Sequence, residues 1–124
     1  WFLMDINVSL IVWIGVGGMM AAFAGPLVVG ALWRGVTFAG AVSGLLAGIG
    51  VFIVAHAQLV KPEWFSNQWL LTAAEWLYRE GPNPYSCAVI GEIASVIATV
   101  FVSKLTQPLP QTHLDEMFGA AKAP

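Results

Sequence analysis

The sequence predicts an all-α membrane protein, with three transmembrane helices and a short interfacial helix. Two observations carry that prediction. The chain is 58% hydrophobic and 10% charged, with mean hydropathy +0.77, whereas globular domains carry roughly a quarter charged residues. Long charge-free runs also punctuate it, each near the length a bilayer demands. A soluble fold of 124 residues leaves too much of its surface in water to hide such apolar content.

Each element follows in order. Ile6 to Trp33 holds no Asp, Glu, Lys or Arg over about 28 residues, bracketed by Asp5 and Arg34, and predicts a first span over about 6–33. A second charge-free run of about 26 residues, Gly35 to Val60, predicts a span over about 37–59. Only Trp33-Arg34-Gly35-Val36-Thr37 joins them, so the two helices are expected to pack antiparallel. The third run, Tyr85 to Ser103, carries one charge, Glu92, and predicts a span over about 85–105, opened by Pro84. Its β-branched stretch Ser95 to Val102 also suits a strand. An isolated strand in lipid would leave its backbone unpaired, so helix is expected.

Between spans two and three, a short helix is expected over about 65–80. Phe65, Trp69, Ala73, Trp76 and Leu77 form an apolar face; Gln68, Thr72, Glu75 and Arg79 form a polar one, with Glu75 and Arg79 placed as an i, i+4 pair. It suits either the headgroup boundary or the protein's own outer surface. Gly81-Pro82-Asn83-Pro84 stops it. Residues 1–106 thus form the transmembrane region and 107–124 a tail. In the tail Thr112 is expected to cap a helix over His113 to Phe118, Gly119 to end it, and the last residues, Ala-Lys-Ala-Pro, to be disordered. Arg34, Lys104 and Lys122 on one side, against Lys61 and Arg79, place the tail in the cytoplasm.

Small residues recur at helical spacing. Gly17, Ala21 and Gly25 make one row, and Gly40, Gly44 and Gly48 another, beside Ala39, Ser43 and Ala47. Such rows let helix backbones approach, and packing within the chain is favoured over homodimerisation because adjacent helices each carry one. Gly25-Pro26 interrupts the first span and predicts a kink, a gating or hinge candidate. Glu92, a possible intramembrane polar residue, is expected near the interface, where a shifted span would put it; buried, it would be a coupling candidate. His56 is expected to hydrogen-bond at the interface, and the lone Cys87 to be a small apolar residue in a helix.

Enzyme chemistry finds no footing. Catalytic and metal-ligating constellations are missing, and Gly15-Val16-Gly17-Gly18 lies inside an apolar span rather than after a strand. No basic stripe supports nucleic-acid binding at a net charge of −2. With Trp1 opening directly onto an apolar run, the chain reads as a piece of something longer.

Ala21-Ala22-Phe23-Ala24-Gly25-Pro26-Leu27, Gly30-Ala31-Leu32-Trp33-Arg34-Gly35-Val36-Thr37, and Ala39-Gly40-Ala41 through Gly44 to Gly48 together resemble the C-terminal part of the sodium:solute symporter family. Val102 to Pro108 with His113-Leu114-Asp115 resembles its cytoplasmic tail; Phe38 and Glu92 depart from its pattern. The resemblance implies a permease with an inverted-repeat core, whose last core helix is the first span here. It implies sodium as coupling ion of the full-length protein, bound on helices outside this chain, so no cofactor or sodium site is expected here. The implied partners are the bilayer, the missing N-terminal helices and a small organic solute, and the implied place is the inner (plasma) membrane. Two other readings stand beside it: a symporter-like sensory domain of a membrane-bound signalling kinase, or a small three-helix membrane scaffold.

Overall fold

The computed structural model describes residues 8–119. Asp5, Ile6 and the final Ala-Lys-Ala-Pro with Lys122 lie outside the described residues. Five helices account for most of the rest: α1 (Val8–Leu32), α2 (Phe38–His56), α3 (Gln68–Glu80), α4 (Pro84–Leu105) and α5 (Gln111–Phe118). A 3-10 turn, Pro62–Trp64, precedes α3, and among the described residues there is no strand. Three helices, α1, α2 and α4, are long and apolar enough to cross a membrane. At 1.5 Å per residue, the 19 residues of α2 and 22 of α4 extend about 28 and 33 Å, against a hydrocarbon core of about 30 Å.

Local chemistry sets the ends. Thr37, Asn67 and Asn83 each stand at an N-cap and accept from the backbone N–H of Gly40, Trp69 and Tyr85, at 3.1, 3.0 and 3.1 Å. Pro84 follows Asn83 as the first helical residue, where a missing N–H costs nothing. α2 stops at His56, three residues before the expected end. Gln58 turns to φ 52°, its N–H donates to Ala55 O, and that of Leu59 reaches back to Val54 O, a Schellman closure with Gln in the left-handed position. Thr112 caps nothing: α5 begins at Gln111, with Pro110 at its N-cap and no side-chain cap. Gly119, at φ 76°, closes it.

The three long helices form an up-down-up bundle. Gly17, Ala21 and Gly25 of α1 meet Ala88, Gly91 and Ser95 of α4 in rising order, so these two run parallel. Gly40, Gly44 and Gly48 of α2 meet Ser103, Thr99 and Ser95 in falling order, so α2 runs against both. A buried cluster of Ala21, Phe52, Ala55, Cys87 and Ala88 fills the end away from the tail, flanked by Ile14 and Leu77. Trp13 and Tyr85 pair at that end with ring centroids 5.2 Å apart, a level where aromatic side chains suit a bilayer boundary.

α3 lies against the bundle differently from its sequence pattern. Ala74 is buried and Leu77 packs on the core, whereas Trp69 is 86% exposed and Trp76 faces outward. The Glu75–Arg79 pair does not form; Arg79 lies 3.8 Å from Glu80 instead. The Gln58 amide fixes this helix by donating to Tyr78 O at 2.7 Å.

Candidate functional site

The interruption of α1 is a π-helical turn. Ala24–Val29 winds wide between the regular pieces Val8–Phe23 and Gly30–Leu32. Pro26 starts the reason: it has no N–H, so the Ala22 carbonyl loses its ordinary donor four residues on. One hydroxyl of α4 repairs the gap. Ser95 Oγ accepts from Gly25 N–H at 2.9 Å and donates to Ala22 O at 3.4 Å, fully buried. Serine side chains re-satisfy backbone groups freed in membrane helices in this way. Gly25 is a requirement of contact, since a methyl there would strike Thr99 Oγ1 and the Ser95 carbonyl.

Ser95 belongs to a row on α4 comprising Cys87, Gly91, Ser95, Thr99 and Ser103, all buried and four residues apart. This row receives Ala21 and Gly25 of the first predicted row and the whole of the second. A Cβ at Gly44 would lie 2.9 Å from Ser95 O, one at Gly40 2.9 Å from Thr99 O, and one at Gly48 2.9 Å from Ser95 Cβ. Ala21, Gly48 and Gly91 form the tightest three-helix junction: Gly91 would meet Ala21 Cβ at 2.6 Å and Gly48 O at 2.9 Å. The neighbouring Ala39, Ser43 and Ala47 stay outside it, and Ser43 Oγ donates to its own helix at Ala39 O, 2.7 Å away.

Toward the tail, the hydroxyls form a directed chain. Gly40 N–H donates to Thr37 Oγ1, Thr37 Oγ1 pairs with Thr106 Oγ1 at 2.6 Å, and Thr106 donates to Val102 O. Thr37 N–H donates to Ser103 Oγ at 3.1 Å. Thr99 stands apart from this chain: its hydroxyl is buried between Gly25 and Gly44 and has no hydrogen-bond partner among the described residues.

The remaining predicted residues are scattered. Glu92 is half-buried, the ninth of the 22 residues of α4, in the groove between α1 and α4. His56 is half-buried and stacks on Phe52 with centroids 5.7 Å apart, and its buried Nδ1 meets no partner among the described residues. Cys87 is buried in the core cluster, with its thiol directed at Gly81 O, 3.5 Å away. Among the described residues no three His, Cys, Asp or Glu side chains gather to hold a metal.

No family model, curated protein or solved structure matches the chain. The geometry therefore stands alone: a wide, proline-broken turn in one span, closed by a single hydroxyl of another.

At the tail-side end, Arg34 joins the α1–α2 turn to α5. Its guanidinium donates to Asp115 Oδ1 and lies 5.6 Å from the centroid of Phe118, while Leu114 is buried beneath. Sequence reading gave the tail no such docking.

Proposed function

We propose that the chain is the C-terminal portion of a sodium-coupled secondary transporter, a symporter of the inner membrane that imports a small organic solute, with the tail in the cytoplasm. The observation that carries this reading is the π turn at Gly25-Pro26. Wide turns and proline breaks in membrane helices recur where a helix must bend during alternating access. Here the bend has a defined release. Exchange of Gly25 N–H from Ser95 to another acceptor costs one interhelical hydrogen bond, about 0.6 kcal/mol in membrane proteins and rarely above 1.7. That equilibrium cost is small, so the tail-side part of α1 tilts while α2 and α4 stay locked through their glycine and hydroxyl rows. Sodium and solute would be held by helices outside this chain.

The test uses the full-length gene. Gly25 and Pro26 are replaced by Ala and Leu, and sodium-driven solute uptake is measured in vesicles at equal expression. Uptake is expected to fall at least tenfold while membrane insertion is kept. Unchanged uptake rejects the gating role.

A further inference from the structure

The groove between α1 and α4 is built to hold something, and its one charge says what. It is a hollow of about 400 Å³ lined by Met20, Phe23, Ala24, Leu27 and Val28, with Glu92 set into the apolar wall. Leu27 and Val28 are largely exposed along it, as are Ile93 and Ile97 on the α4 side. Glu92 lies about 12 Å along α4 from Pro84 and about 20 Å from Leu105, near the middle of a span rather than at its rim. Among the described residues its carboxylate has no hydrogen bond or ion pair. A carboxylate at that depth is costly against lipid, and such groups face a bundle interior or a water-filled cavity or pair with another polar group.

A second copy of this chain does not fit. Arg34, Lys61 and Arg79 lie in or beside the connections between spans, and Lys104 is the last residue but one of α4, about 18 Å from Glu92 along the axis. Lys122 lies beyond α5 in the sequence. Among the described residues, no orientation of a copy brings a Lys or Arg to the middle of a span. The geometry points to a separate transmembrane helix as the occupant, one that carries a lysine or arginine at the depth of Glu92 and covers the α1–α4 groove with its apolar side chains. Apolar packing supplies the contact area, and the ion pair sets depth and register, as buried charges do best when they choose between partners. This inference does not depend on the transporter reading: it applies to any membrane assembly that contains this chain.

The test is photo-crosslinking in native membranes with the full-length protein. A photoreactive residue at Leu27 probes the groove, and one at Leu46, on the outer side of α2, serves as control. The Leu27 probe is expected to join an apolar segment of at least 18 residues that contains a Lys or Arg, identified by peptide mapping. Glu92→Gln is expected to lower that yield several-fold and Glu92→Lys at least tenfold, and exchange of the mapped basic residue for Glu is expected to restore yield in Glu92→Lys. The rescue separates a lost contact from a lost fold. Adducts with lipid alone, with a second copy, or with a segment lacking a basic residue would overturn the proposal, as would yields unmoved by either substitution or a failed rescue.

Discussion

Glycine positions within one helix differ sharply in what they tolerate. At Gly48 an added methyl would collide with the Ala21 carbonyl, with the carbonyl carbon 2.7 Å away, and backbone cannot swing aside as a side chain can. At Gly50, two residues on, nothing lies within 4 Å. Gly48→Ala is therefore expected to destabilise the bundle by about 1–3 kcal/mol, as overpacking does, while Gly50→Ala is neutral or stabilising by up to about 1 kcal/mol. Unfolding in mixed micelles on titration with dodecyl sulfate measures both. Equal effects would show that helix propensity, not helix contact, governs these sites. Ser95 allows a finer test. Ser95→Ala leaves Gly25 N–H and Ala22 O without their partner and is expected to cost about 1–2 kcal/mol. Pro26→Ala returns an N–H to the helix, so the two substitutions are expected to couple: the serine matters less once the proline is gone. A double-mutant cycle reads that coupling, and strict additivity would disprove the repair role.

At the scale of elements, the join between α5 and the α1–α2 turn rests on few contacts, chief among them an exposed ion pair. Arg34 and Asp115 are each more than a third exposed, and exposed pairs contribute at most about 1 kcal/mol. Burial of Leu114 and the Phe118 ring beneath Arg34 add to it. Asp115→Asn is expected to speed proteolysis within 111–118 several-fold, and raised salt to do the same to the parent chain, because screening weakens exposed pairs. Protection unchanged in both conditions would mean that Leu114 alone holds the helix. The small-residue rows are the opposite case: Gly40, Gly44 and Gly48 were legible from their spacing, yet their partner was not. Periodicity names a face and leaves its neighbour open. The same four-residue signal is present as Cys87, Gly91, Ser95, Thr99 and Ser103, interleaved with the β-branched Val96, Ile97, Val100 and Val102, whose strand propensity competes with it.

The whole molecule exposes its hydrophobic side chains on nearly every helix, from Val8 and Met19 on α1 to Phe101 and Leu105 on α4. Contiguous apolar surface of that extent suits lipid or another helix. The purified chain is expected to aggregate in plain buffer and to become monodisperse only in detergent or nanodiscs, as gel filtration with light scattering would report. A monodisperse detergent-free monomer would remove the membrane reading and every energy argument that treats lipid as solvent.

By itself the sequence determined the number of spans and their approximate limits, because charge-free length and helical period are local properties that need no third dimension. It also marked Gly25-Pro26 as an interruption, since proline's missing N–H is a covalent fact. Tertiary structure alone decided what answers that interruption. Ser95 is 70 residues away along the chain, and only the parallel packing of α4 on α1 brings its hydroxyl to Gly25. The same holds for the outward turn of Trp69, for the closing of α2 at Gln58 and for the docking of Asp115 on Arg34: each depends on which surfaces meet, and hydrophobic burial chooses among many pairings that a linear pattern leaves equal.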